Sequence, residues 1–299
     1  MIANASQSVA PAVLGRRLSR EMLRAREAAG KSRRDVVADL DWSMSALISI
    51  ESGTTVVGVE DLGQLLGFYG VGPEHTGELV ELAKKAGRPS PWDIYRKAAT
   101  PAYINLCAYE SSAVVIRAYE PLVIPGLLQT EGYARAVLSR WFGSEGPQKV
   151  DALVNLRRQR QKLLAKEDAP QLRCIIDESV LTRRVGDFQV MRTQLEHLRV
   201  YSDHPGVTIR VIPKGAAFSP CEGVAFTVLE SGPDNESVLY LEPPTGEVFL
   251  REDVMGLGSV TPVTYLASFW ELEEAASRDD FTRFVDDAID RLTQDRSNS

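Results

Sequence analysis

The stretch SMSALISIESG, residues 43–53, decides how the first third of the chain is read. Ser43 is a good helix N-cap, since its hydroxyl can accept from a free backbone N–H of the first turn. Leu47 and Ile50, three apart, would turn one side of that helix inward. Glu51-Ser52-Gly53 ends it, because Gly53 can take the left-handed conformation without steric cost. The remaining side chains are Met, Ser, Ala and Ile, with no charge before Glu51.

Working outward, Asp41-Trp42 is too short for more than a turn. Before it, Ser32 and Asp35 form a capping box, and Val36, Val37 and Leu40 give the helix an apolar face. Gly30 closes an earlier helix, whose stripe Leu14, Leu18, Met22, Ala25 and Ala29 has helical spacing. After the opening stretch, Leu62, Leu65, Leu66 and Tyr69 mark a fourth helix bounded by Gly70 and Gly72. A fifth starts near Pro73, with Leu79, Leu82, Ala83 and Ala86 inward. An all-α five-helix bundle over residues 13–86 is expected, preceded by a small, polar and disordered segment 1–12.

Two short helices joined by a three- or four-residue turn inside such a bundle form a helix-turn-helix. AAGKSRRDVVADLDWSMSALISIESG, residues 28–53, resembles the Cro/repressor-type (XRE) helix-turn-helix family. The likeness rests on a Gly before a polar helix start, a hydrophobic pair in mid-helix, and the ending Ile50-Glu51-Ser52-Gly53. It implies double-stranded DNA as partner, with Arg33 on a phosphate and Arg34 beside it. It places Met44, Ser45 and Ser49 toward base edges, and Ser43 as the cap next to the DNA backbone. The departure is that residues 43–53 lack Arg, Lys, Asn and Gln, which pair with bases most selectively. Met and Ser can still touch a thymine methyl or bond to either base type, so affinity would lean on phosphates and helix N-termini. One short helix of this kind is weak alone, so a homodimer on two half-sites is expected. A bundle of another kind, or a helix-turn-helix turned to protein binding, is the alternative.

The bulk composition permits this. With 299 residues, 44% hydrophobic and 25% charged, the chain can build one large core or two moderate ones. Net charge is −7, but residues 1–40 hold eight Arg/Lys against four acids, and residues 271–299 hold nine acids against four Arg. Such polarity excludes wholesale coating of nucleic acid while leaving a local basic patch. Cys107, Cys174 and Cys221 form no CxxC pair, and His75, His197 and His204 are scattered, so neither a disulfide framework, a metal site nor a cofactor is expected. The longest uncharged run, Val254–Trp270, has 17 residues broken by Gly256, Gly258 and Pro262; a cytoplasmic protein with no membrane partner is expected. No nucleophile, metalloprotease or phosphate-loop motif occurs; GLGSV (256–260) follows no strand. Asp177-Glu178, at a strand end, reads as a helix cap in preference to an acid/base pair. No enzyme is expected.

Residues 87–101, GRPSPWDIYRKAATP, hold three prolines and read as a linker that Trp92 and Tyr95 could anchor. Beyond it, helices are expected at 102–112, 129–141, 148–166 and 187–201. Strands are expected at 113–119, 171–177, 206–212, 223–229, 237–242 and 246–250. Late clustering and short turns such as ESGPDNES and PPTG suggest a mostly antiparallel sheet with packed helices, a larger C-terminal α+β domain over 102–276. PLVIPGLLQTEGYARAVL (121–138) is a Pro-Gly turn ahead of a helix with Tyr133, Val137 and Leu138 inward. NLRRQRQKLL (155–164) by itself reads as a solvated basic face.

PGLLQT (125–130) followed by YARA (133–136), with RRQRQKLL and the later DESVL and QLEHL, resembles a domain of unknown function that follows helix-turn-helix modules in actinobacterial regulators. That resemblance spans roughly 90–280. It implies an antitoxin-like transcriptional regulator controlled through this domain by a small partner protein encoded nearby or by a small-molecule effector. The end, 277–299, is an amphipathic helix and tail: Ser277 with Asp280 as a capping box, then Phe281, Phe284, Val285, Ala288, Ile289 and Leu292 on one side. It would pack in cis or capture a partner.

Overall fold

The computed structural model describes residues 9–216, 223–231, 237–243, 246–251, 260–277 and 281–297. The ESGPDNES and PPTG turns in large part, Cys221, Gly256 and Gly258, and the Asp280 half of the last capping box lie outside them. The chain divides into two compact units between Asp93 and Ile94, each described by itself.

The first unit holds α1 (Pro11–Ala28), α2 (Arg33–Leu40), α3 (Met44–Glu51), α4 (Val59–Phe68) and α5 (Pro73–Ala86). Helix α1 starts at Pro11, so the last two of the twelve residues expected to be disordered are helical: Pro at the first position needs no N–H partner and is preset for the turn. Leu18 and Met22 (α1), Val36 (α2), Leu47 and Ile50 (α3), Leu62, Leu65 and Leu66 (α4) and Leu79 and Ala83 (α5) meet in one core. The heptad-like stripes thus bury one side of every helix.

The second unit opens with α6 (Pro101–Glu110) and β1 (Ala113–Glu120), then α7 (Glu131–Phe142), α8 (Pro147–Gln161), β2 (Gln171–Asp177), α9 (Glu178–Thr182), α10 (Phe188–Ser202) and β3 (Val207–Ile212). Strands β4 (Phe226–Ser231), β5 (Ser237–Leu241) and β6 (Val248–Arg251) follow, then α11 (Pro262–Ala275) and α12 (Phe281–Ser297). The sheet is mixed, in the order β3-β2-β1-β4-β5-β6. Three pairings are antiparallel; β1–β2 and β2–β3 are parallel. Parallel neighbours need a crossover, here supplied by α7 and α8 and by α9 and α10. The α+β expectation holds, and its antiparallel part is the β1-β4-β5-β6 half.

Tyr119, Phe226, Leu239 and Leu241 on one sheet face pack with Phe269 and Leu272 of α11. Helix α11 has no counterpart in the sequence expectations. Helix α12 buries Phe281, Val285, Ala288 and Leu292 and packs in cis against α9 and α10, with Arg199 Nη1 3.2 Å from Asp286. Among the described residues no helix is long and apolar enough to cross a membrane.

Candidate nucleic-acid interface

Three residues, Asp41 to Ser43, connect α2 to α3. Asp41 sits at φ 54°, a left-handed conformation that Asp tolerates better than most side chains, and this lets the chain reverse without a glycine. Ser32 and Asp35 form the expected capping box. The Ser32 hydroxyl, then its N–H, hold the Asp35 carboxyl below its ordinary value. Ser43 Oγ accepts from Ala46 N at 3.1 Å, and Gly53 takes φ 70°. Ser19 of α1 donates to the Ile50 carbonyl at 2.8 Å.

The Glu51 of the Ile-Glu-x-Gly ending is buried. It accepts from Arg26 Nε of α1 at 2.5 Å and from Arg33 Nε of α2 at 2.6 Å. Arg26 Nη1 also donates to the Lys31 carbonyl at 2.8 Å. One carboxylate thus draws arginines from two helices onto the end of a third. Two positive charges meet one negative, and the excess lies toward Arg33, whose side chain stays 46% exposed. Arg33 is therefore an oriented side chain rather than a loose one: Nε is held inside while the terminal nitrogens are left for an outside acceptor. Arg34 is exposed on the same first turn. Part of the head's formal charge is spent internally, since Arg16 and Arg26 are buried and Arg24 pairs with Glu21 at 2.8 Å.

On α3, Leu47 and Ile50 face the core. Met44 (37% exposed) and Ile48 (45%) face outward, Ser43, Ser45 and Ala46 are exposed, and Ser49 is half-buried. Ser43 Oγ also lies 3.1 Å from Ser45 Oγ. Met44 and Ile48, one turn apart, make an apolar pair beside the Ser45–Ser49 row. Ile48 was missing from the expected site. Its signal was available: at about 100° per residue, a position between inward Leu47 and inward Ile50 but one step from the first swings away from the core.

In the second unit the basic run is only half a solvated face: Arg158 and Lys162 are exposed, but Arg157 and Arg160 are core, only 7% and 6% exposed. Arg160 grips Glu110 of α6 in a fork, Nε to Oε2 at 2.8 Å and Nη2 to Oε1 at 2.6 Å, and Nη1 also bonds the Tyr103 hydroxyl. Arg157 Nη1 donates to Gln129 Oε1 at 2.7 Å and Nη2 to Tyr103 at 3.1 Å. Gln129 Nε2 donates to the Ile124 carbonyl, Gln161 Nε2 to the Gly126 and Gln129 carbonyls, and Gln194 Nε2 to the Leu128 carbonyl. The PGLLQT segment is thus an irregular turn whose buried backbone groups are satisfied by glutamines from α8 and α10. Asp177 occupies the N-cap position of α9 but makes no cap bond; it accepts from the Tyr119 hydroxyl at 3.4 Å. Glu178 accepts from Lys214 N at 2.9 Å and lies 3.6 Å from Arg291. Both carboxylates are engaged in tertiary bonds in place of capping.

Residues 17–79 match the model of a helix-turn-helix domain, and with the geometry above this supports a DNA-binding helix-turn-helix head. Residues 103–260, more than half of the chain, match a domain of unknown function (DUF5753). The chain belongs to that family. No curated protein and no solved structure matches it.

Proposed function

We propose that this chain is a sequence-specific transcription regulator of the Cro/repressor (XRE) type, which binds duplex DNA as a homodimer and is controlled through its C-terminal domain. The observation that carries this reading is the arrangement at α2–α3. Helix α3 turns Met44, Ser45 and Ile48 to solvent while Glu51 at its end orients Arg33. Arg33, with Arg34, serves the phosphates; Ser43 caps α3 at the backbone; Met44, Ser45, Ile48 and the rim of Ser49 meet base edges. An apolar pair suits thymine methyl groups, so operators of this protein carry thymines at the α3 positions. Two heads on half-sites about 34 Å apart supply the affinity one such helix lacks. The effector is a small molecule or a small, antitoxin-partner-like protein, and the protein works in the cytoplasm.

Genome-wide mapping of bound sites in the source organism, followed by titration of the recovered duplex, tests the reading. A recurrent two-fold symmetric motif bound more tightly than scrambled DNA is expected. Retention of a small protein after nuclease treatment, with no recurrent motif, would favour a second reading, a scaffold that sequesters a partner; the uncharged face of α3 is what gives that reading its support.

A further inference from the structure

On one sheet face, Ala118, Thr227 and Tyr240 stand side by side on β1, β4 and β5. Side chains two residues apart share a face, so Glu120 and Glu242 stand in the next row of the same face, on either side of Ala225. The Glu242 N–H still donates to the Ala225 carbonyl at 3.1 Å, which keeps the row in register. Helices α6 and α8 and the PGLLQT turn roof this face. Between roof and sheet runs a narrow cleft, open to solvent and lined among others by Glu120, Glu242, Arg157, Tyr240 and Trp141. A second narrow cleft shares Tyr103, Trp141, Arg157 and Glu242 as walls.

The first cleft has more carboxyl groups than cations to pair them. Three carboxyl groups, Glu110, Glu120 and Glu242, line it with only two guanidinium groups, Arg157 and Arg160. Arg160 is committed to Glu110, and both terminal nitrogens of Arg157 are committed to Gln129 and Tyr103. Among the described residues no ion pair reaches Glu120 or Glu242. Burial first, then repulsion from Glu242, pushes the Glu120 carboxyl well above its ordinary value. Burial likewise raises Glu242, with Arg157 pulling it back and Glu247 adding to the rise. Trp141, half exposed, lines both clefts, and an indole face beside carboxylates is a surface that attracts organic cations.

We propose that this cleft binds a small organic monocation, a primary ammonium or guanidinium head on a slender tail, with the head held between Glu120 and Glu242 and the tail passing Trp141. The cation takes the place of the proton held between Glu120 and Glu242 and supplies both carboxylates with hydrogen-bond donors. Only the further step, that the cation is the effector, rests on the regulatory reading above.

Calorimetric titration of the full chain with n-butylammonium and with butylguanidinium, at constant ionic strength, tests the site, with butyrate and butanol as charge-reversed and neutral counterparts. Saturable binding of at least one cation is expected. Glu120→Gln and Glu242→Gln, which preserve shape, should each weaken it by about tenfold or more, an energy step that titration resolves readily. Circular dichroism on both variants checks that they fold. If neither cation binds saturably, if butanol or butyrate binds as well, or if both variants bind the cation like the parent, the site is refuted. Operator titration is run separately on the unliganded chain. Failure to bind DNA in that arm strikes the regulatory reading and leaves the cation site standing; loss of cation binding alone does the reverse.

Discussion

Both units bury arginines against glutamates, and they do so to opposite ends. In the head, Glu51 serves Arg26 and Arg33, so positive charge is left over, and it is left at the surface on Arg33. In the C-terminal unit three carboxyl groups meet two arginines, so a carboxyl group is left over, and it is left inside beside a cleft. Paired charges alone say little about stability, because desolvation offsets attraction. What separates the two constructions is where the unmatched group lies: at the surface in one, beside a cleft in the other.

The largest effect should come from breaking the inner pair. Arg160→Met leaves Glu110 charged and enclosed, which costs about 3–5 kcal/mol. Denaturant unfolding followed by tryptophan fluorescence should show the loss in the unit beyond Ile94, where all of Trp141, Trp270 and the Arg160 network lie; an unchanged midpoint would mean the fork is idle. Glu51→Ala does the same to Arg26, about 3 kcal/mol by the same reasoning, and removes the brace of Arg33. Here both head stability and DNA binding should fall together, and a variant that unfolds earlier yet binds operator normally would separate the brace from the interface.

Arg33→Ala should sharpen the comparison by splitting those two properties. Its half-exposed pair is worth about 0–1 kcal/mol to folding, but affinity should drop for every duplex sequence, with the slope against salt reduced by about one ion. A mobility-shift titration matching the parent at all salt concentrations would exclude Arg33 from phosphate contact. Smallest is Ile48→Ser, about 1 kcal/mol at a single base pair, the low end of the range for a base contact. In selection from random duplexes it should relax the thymine preference without changing the half-site spacing; an unchanged motif would take Ile48 out of the reading face.

The parts that were legible in the sequence are those set by neighbours along the chain. Ser32 with Asp35, Ser43, Gly30 and Gly53 each fix a helix end through bonds within a few residues, and the apolar stripes show which side of each helix turns in. The six strands were readable as short runs rich in β-branched and aromatic residues between turn residues, although β5 is buried throughout and shows no alternation. Their directions were legible only in part: β4–β5 and β5–β6, close in sequence, pair antiparallel as expected, but across long intervening segments β1–β2 and β2–β3 pair parallel while β1–β4 pairs antiparallel. Helix α11 went unread because the run Val254–Trp270 has little polar contrast to give it a side, although Thr261-Pro262 is a cap followed by a preset first position. The burial of Arg157 and Arg160 could not be read locally: Glu110 and Tyr103 lie about fifty residues upstream, and only the fold brings them together. Ile48 stands between these cases, since its outward direction follows from Leu47 and Ile50.

The shared carboxylate of Glu51 has one more consequence. Arg26, enclosed in the first helix and remote in sequence from the reading segment, sets where Glu51 sits, and Glu51 sets where Arg33 reaches. A genetic screen for lost operator occupancy should therefore recover changes at Arg26 alongside those at the DNA surface, and such alleles would be mistaken for contact mutants unless their folding were measured as well.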